Sequence, residues 1–229
     1  MDRRCNSKVK VCFVSDTHSN IIALKNTLDD ISFDELVVCG DLVGYYPWPN
    51  ETLEFLRELD AKAVKGNHDE ATVTGDTSWF NGAAAQAIEF TRKEITVSNL
   101  NYLRSLPDSL ELKLDGLTVK VYHGSPRDHL YEYVYPDMLE KIVFPKADIT
   151  ALGHTHWQFS RRLGETLVLN PGSTGQPRDG DPRSAVTVMD TRTNTVTPMR
   201  KKYDIGQVVA AVRQKGLPDW LGERLKQGR

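Results

Sequence analysis

Cysteine is scarce in these 229 residues: there are three, Cys5, Cys12 and Cys39. An odd number without the spacing of a thiolate site argues against a Cys-built metal centre or a disulfide framework. Cys12 and Cys39 lie in apolar runs and read as buried, reduced core residues, which suits a cytoplasmic protein. Long hydrophobic runs are missing too, and no stretch nears the roughly 20 apolar residues that cross a bilayer. The opening Met1-Asp2-Arg3-Arg4-Cys5 is polar and runs into a strand, so no signal peptide is expected. Neither charge is in excess: 29 Lys and Arg against 31 Asp and Glu give a net charge of −2. With no basic run there is no evident groove for nucleic acid and no attraction to an anionic membrane. Repeats, low-complexity segments and linkers are absent as well. A chain of this size buries one large core, so a single domain over 1–229 is expected, with its core at about 9–202.

Histidine is equally rare, and there the chemistry gathers. Five of the six histidines stand in short motifs rich in Asp, Asn and Gly. These are Asp16-Thr17-His18, Gly66-Asn67-His68-Asp69, His123-Gly124 and Gly153-His154-Thr155-His156, joined by the His-free pair Gly40-Asp41. Imidazole, carboxylate and no thiolate suit first-row divalent metals, and the number of donors suggests more than one ion. His129 lies outside the motifs and reads as a surface or capping residue.

The hydrophobic pattern places these motifs. Strands are predicted over 8–14, 35–39 and 61–64, with helices over 19–31 (capped by Ser19 or Asn20) and 49–59. Strand–helix alternation implies a parallel sheet, and each early motif falls just past the C-terminal end of a strand, where such sheets place their sites. Two helical segments follow within 83–106, then a hairpin over 109–122 around Asp115-Gly116. Further strands are predicted at 148–152, 165–169, 184–189 and 195–200, and a helix at 205–214. The last residues are polar and are predicted to fray. The expectation is an α/β fold of two packed sheets flanked by helices.

In extended backbone, side chains at i and i+2 share a side, so Asp16 and His18 reach one ion together and His154 and His156 form a similar pair. Adjacent residues point apart. If Asn67 is a ligand through its amide oxygen, His68 is free to act as an acid, with Asp69 well placed to orient it. Two divalent ions among neutral imidazoles and two carboxylates leave a net charge of about +2, which attracts a phosphate anion.

The motif set, in this order, resembles the calcineurin-like metallophosphoesterase superfamily: a D-x-H, a GD, a GNH[DE], a lone H and a GHxH, with no ligand position substituted from about Val9 to Asp190. The phrases GDLVGYYPWPNE, HGSPRD and NPGSTGQPRDGD resemble its small bacterial and archaeal phosphodiesterase-like members. The resemblance implies a four-layer αββα sandwich of two mixed β-sheets flanked by helices. It implies two divalent metal ions (Mn, Fe, Zn or Ni): Asp16, His18 and His156 on the first, Asn67, His123 and His154 on the second, and Asp41 bridging. His68 would protonate the leaving oxygen or stabilise the transition state, with Asp69 behind it. The activity implied is a phosphodiesterase or nucleotide hydrolase of the dinucleoside polyphosphate type using metal-activated hydroxide. The alternatives are a phosphomonoesterase or Ser/Thr protein phosphatase on the same site, and a non-catalytic scaffold.

Other residues keep two readings. Arg127 suits a bidentate grip on a substrate phosphate or a surface salt bridge. Tyr131, Tyr133 and Tyr135 lie in 124–147, read as a cap segment on which a base stacks, or else they pack a core or a dimer contact. Trp79 and Phe80 share that ambiguity. Asn170 to Gly175 reads as a structural turn bordering the site. The partners expected are a small phosphate-ester or nucleotide substrate, with a homodimer also allowed.

Overall fold

The structure is a computed structural model that describes residues 9–229. Cys5 and Lys8 lie outside the described residues. Among the described residues, ten strands follow in chain order: β1 (Lys10–Val14), β2 (Glu35–Val38), β3 (Lys62–Ala63), β4 (Ser109–Leu114), β5 (Leu117–Tyr122), β6 (Ile149–Ala151), β7 (Phe159–Leu163), β8 (Thr166–Asn170), β9 (Ser184–Asp190) and β10 (Thr195–Lys201). The helices are α1 (Ile21–Leu28), α2 (Pro49–Glu58), α3 (Asn67–Thr74), α4 (Gly82–Glu94), α5 (Val97–Ser105), α6 (Ile205–Gln214) and α7 (Asp219–Glu223).

The strands form two mixed five-stranded sheets, ordered β10-β9-β1-β2-β3 and β4-β5-β6-β8-β7. In the first, β1, β2 and β3 run parallel while β9 is antiparallel to β1. In the second, β5, β6 and β8 run parallel between antiparallel edge strands β4 and β7. After the exposed Lys10, β1 is apolar from Val11 to Val14 because both of its faces are covered. Val11 and Phe13 meet Val121, Ile149 and Leu169 of the opposite sheet. Cys12 and Val14 turn to Leu24, Leu53 and Leu103 of α1, α2 and α5. Burial pushes the Cys12 thiol up to about 12, so it stays protonated and inert, as expected of a core cysteine. The outer face of the second sheet is covered more thinly: Val134, Leu139 and Ile142 close over Tyr122, Leu152 and Val168, with a 3-10 turn at Leu139–Lys141. This is the expected αββα sandwich of two mixed sheets flanked by helices.

Asn20 caps α1, accepting from the Ala23 N–H at 3.1 Å, and Pro49 starts α2 where its missing N–H does no harm. The C-terminus departs from the sequence expectation. Instead of fraying, α7 and a 3-10 turn at Arg224–Gln227 pack inward, and Leu221 and Leu225 are fully buried beside Tyr46, Ala87, Val208 and Val212. Two leucines four residues apart are enough to dock one helical face.

The topology brings the C-terminal ends of β1, β2, β3, β5, β6 and β8 to one edge of the sandwich. Each of those six ends runs into one of the polar motifs singled out above.

Candidate metal centre

The turns after these strands are sharply wound. Asp16, His18, Asp41, His154 and His156 all have φ between 48° and 66°, the left-handed region that side-chain-bearing residues avoid. This corrects the extended-backbone argument for the i, i+2 pairs. Asp16 and His18 do converge, but through a left-handed turn. His154 and His156 diverge: His156 joins Asp16 and His18, while His154 joins Asp41 and His123. Strain of this kind collects at functional sites because the surrounding structure must hold it in place. Here the turn around Asp16 is held by the 170–175 loop, whose Gly175 N–H and Ser173 hydroxyl both donate to the Asp16 carbonyl, at 3.1 and 2.7 Å.

The donors meet in two groups joined by Asp41. In one, His18 Nε2 lies 3.1 Å from His156 Nε2, with Asp16 Oδ1 3.2 Å from the latter. In the other, His123 Nε2 lies 3.1 Å from His154 Nδ1 and 3.0 Å from Asn67 Oδ1. Asp41 Oδ2 stands between them, 3.6 Å from His18 Nε2 and 3.4 Å from His123 Nε2. All these residues are buried.

The opposite ring nitrogens decide what can sit there. His18 Nδ1 faces the Val43 carbonyl at 3.3 Å, His123 Nδ1 the Cys39 carbonyl at 2.8 Å, and His154 Nε2 the Tyr131 carbonyl at 3.2 Å, while His156 Nδ1 faces that of Gln176. A carbonyl accepts only from an N–H, so each neutral imidazole donates its single hydrogen outward and turns a lone pair inward. Lone pairs facing one another at 3.1 Å repel unless a cation lies between them. Carbonyl-anchored imidazoles are also the usual outer support of a metal site. Asp16 Oδ1 adds a buried carboxylate oxygen with no hydrogen-bond partner among the described residues. The donor set therefore fits divalent ions.

The electrostatics agree. Burial acts to raise the Asp41 carboxyl, but His123, His68 and His18 outweigh it and hold Asp41 well below the usual carboxylate range. Burial drives His68 down to about 4 and, together with His123, drives His154 down to about 3, which keeps both rings neutral. His123 goes the other way: against burial, Asp41 and Asp16 raise it to about 9. The two carboxylates attract positive charge to the middle of the cluster, the same place toward which the imidazole lone pairs turn.

Two expectations are corrected. Asp69 does not meet the His68 ring. Its carboxylate accepts from the backbone N–H groups of Leu42 (3.1 Å), Val43 (3.0 Å) and Gly66 (2.9 Å), tying the Asp41 loop to the start of α3. Burial and then Asp41 push the Asp69 carboxyl up to about 7, against those three donors. His68 is instead held by rings, with Tyr45, His18 and Phe80 at centroid distances of 4.6, 4.7 and 4.8 Å. Its backbone N–H donates to Asp41 Oδ1 at 2.8 Å. Arg127 lies away from the cavity, and its guanidinium is gripped by Glu132.

Beside the donors opens a cavity of about 330 Å³ that touches Asp41, Asn67, His68, His154 and His156. Its other walls include Tyr45, Phe80, Asn81, Arg178 and Arg224, which the sequence reading did not single out for the site, apart from the ambiguous Phe80. Nothing local distinguishes these arginines from the rest, and Arg224 comes from the segment expected to fray. The tyrosine stretch divides its work. Tyr131 and Tyr133 line the cavity, Tyr133 lies on the His154 ring at 3.9 Å, and Tyr135 packs edge-on against Trp157. Trp79, 79% exposed, leans on Tyr131 at the mouth. His129 packs on Tyr122, outside the cavity.

Comparison with known proteins agrees with this geometry. The calcineurin-like phosphoesterase superfamily domain matches residues 9–194. The uncharacterized protein MJ0912 of Methanocaldococcus jannaschii is 35% identical over 242 residues, covering 97% of this chain and 99% of its own. The phosphodiesterase YfcE of Escherichia coli is 24% identical over 213 residues, covering 87% and 97%. Among solved structures, a metallophosphoesterase from Sphaerobacter thermophilus superposes with a TM-score of 0.86 at 33% identity, covering 97% of this chain and 100% of that one.

Proposed function

Because the chain belongs to the calcineurin-like phosphoesterase superfamily and is thus a metal-dependent phosphoric ester hydrolase, we propose that it is a phosphodiesterase or nucleotide hydrolase of the dinucleoside polyphosphate type, working with two divalent ions. The observation that carries this reading is the pair of facing imidazole sets on either side of Asp41. Asp16, His18 and His156 would hold one ion, Asn67, His123 and His154 the other, and Asp41 both. Mn, Fe, Zn and Ni all suit this mixture of imidazole and carboxylate. Such ions supply Lewis-acid stabilisation of a phosphoryl oxygen and acidify water.

The chain's own residues do the rest. His68 presents its ring to the cavity, where the neutral imidazole would donate a hydrogen bond that stabilises charge developing on the leaving oxygen. Asp69 is a positioning residue, since its three backbone contacts fix the loop of Asp41 and the helix start that carries Asn67 and His68. The cavity's size suits a small ester, and its aromatic walls suit a base. Residues 1–229 act as one domain on this reading, with 124–147 as a cap that reaches the site through Tyr131 and Tyr133. A cytoplasmic location fits the buried, unpaired Cys12 and Cys39.

The test compares Mn²⁺-dependent hydrolysis of bis(p-nitrophenyl) phosphate with that of p-nitrophenyl phosphate, with a chelator control. A higher kcat/KM on the diester, abolished by the chelator, is expected. A preference for the monoester would replace this reading with a phosphatase.

A further inference from the structure

The cavity has a cationic wall that the metal donors do not account for. Arg178 follows the 170–175 loop, and Arg224 comes from the C-terminal 3-10 turn, beyond the residues that match the superfamily domain. Neither guanidinium meets an Asp or Glu carboxylate among the described residues. The acids beside them are already engaged: Asp179 by Arg200, Asp181 by Arg183, and Glu223 by Arg213 and Lys226. Arg224 Nε donates to the Arg229 backbone oxygen and its guanidinium lies over the Trp220 ring, which leaves its two Nη groups without a carboxylate among the described residues. Two half-buried guanidiniums on one cavity, with the neighbouring Asp and Glu side chains paired elsewhere, form a site for an anion from outside.

Their placement is built. Arg178 donates to Gln176 Oε1 through Nε at 3.0 Å, and it reaches the Tyr45 hydroxyl at 3.3 Å. Gln176 Nε2 donates to the Tyr46 hydroxyl at 3.0 Å, and that hydroxyl donates to the Leu221 carbonyl at 3.1 Å. This buried relay ties the Arg178 loop to the helix that leads into Arg224. Burial, then the nearby Arg178, hold the Arg224 guanidinium below its usual range, as expected of like charges kept close together. The Tyr45 ring lies within 4.7 Å of both His18 and His68, so Arg178 stands one ring away from the reaction centre.

We propose that Arg178 and Arg224 form a second phosphate subsite, and that the preferred substrate is an ester carrying a phosphate group beyond the one being cleaved. This rests on the phosphoesterase reading above and narrows it, since a simple diester leaves this wall unmatched.

The test uses the full, Mn²⁺-loaded chain on diadenosine triphosphate and on adenylyl-adenosine, which has one phosphate. Alongside, calorimetry compares methylenebisphosphonate with methylphosphonate as ligands. The unaltered chain is expected to prefer the triphosphate and the bisphosphonate. Arg178→Gln and Arg224→Gln should each shrink both preferences by about 10- to 100-fold, mostly through KM for the triphosphate. Arg178→Lys and Arg224→Lys, which keep the charge, should retain part of each preference and so separate lost recognition from lost folding. Preferences unchanged in both Gln variants would overturn the subsite while leaving the phosphoesterase reading intact. Bisphosphonate binding that depends on both arginines, in a chain that hydrolyses neither substrate, would support the subsite and refute the nucleotide-hydrolase reading.

Discussion

At the scale of single residues, His68 separates chemistry from metal binding. Its Nδ1 is buried without a hydrogen-bond partner among the described residues, and its ring is held only by aromatic neighbours at the cavity wall. A histidine kept for structure alone would use both nitrogens. His68→Ala is therefore expected to lower kcat by about 10²- to 10³-fold, as loss of a hydrogen-bond donor to the transition state does, while metal content by elemental analysis stays near that of the unaltered chain. Unchanged turnover would remove His68 from the mechanism. The donors themselves were legible in the sequence because few residue types bind metals and they stand in tight company. The two arginines were not, because an arginine is distinguished by whether its neighbouring acids are already paired. That depends on contacts as remote as Asp179 with Arg200, 21 positions apart.

At the scale of elements, the critical joint is the passage from β3 into α3. Gly66 has no left-handed backbone, yet it has no room: a Cβ there would lie 2.1 Å from Asp41 Oδ1 and 2.2 Å from the Asp41 backbone nitrogen. Gly66→Ala must push the start of α3, with Asn67 and His68, away from Asp41. The expected outcome is a loss of about 1–3 kcal/mol of stability by denaturant titration, together with reduced metal occupancy. Full occupancy of both proposed ions would show that the joint is looser than these contacts imply. This helix was missed in the sequence because it begins inside the Gly-Asn-His-Asp motif and has no apolar stripe. β7 was missed for a related reason: its Phe-Ser-Arg-Arg-Leu is an exposed edge strand whose register comes from pairing with β8 rather than from any alternation of its own. The hairpin over 109–122 and the buried parallel strands were legible because turn chemistry and double-sided burial leave a local signature.

At the scale of the whole molecule, the two sheets and the C-terminal helices converge on one cluster of charges that the fold alone does not favour. Asp16 and Asp41 are fully buried, and four imidazoles turn lone pairs toward one another between them. Metal ions convert that mutual repulsion into attraction, so binding energy becomes folding energy. An ion present at a hundred times its Kd adds about 2.7 kcal/mol to stability. For a domain of this length that corresponds to roughly 5–10 °C in Tm for each ion, and about twice that for the two proposed ions together. Stripping the metal-loaded chain with a chelator should thus lower Tm by roughly that amount, and adding back Mn²⁺ should restore it in proportion to occupancy. Because the strands that end in the donors belong to both sheets, the loss should appear in the main cooperative transition and not as local fraying. An unchanged Tm, with the ions shown to be gone, would mean that the site is held open by the packing around it and that the metals contribute to chemistry alone.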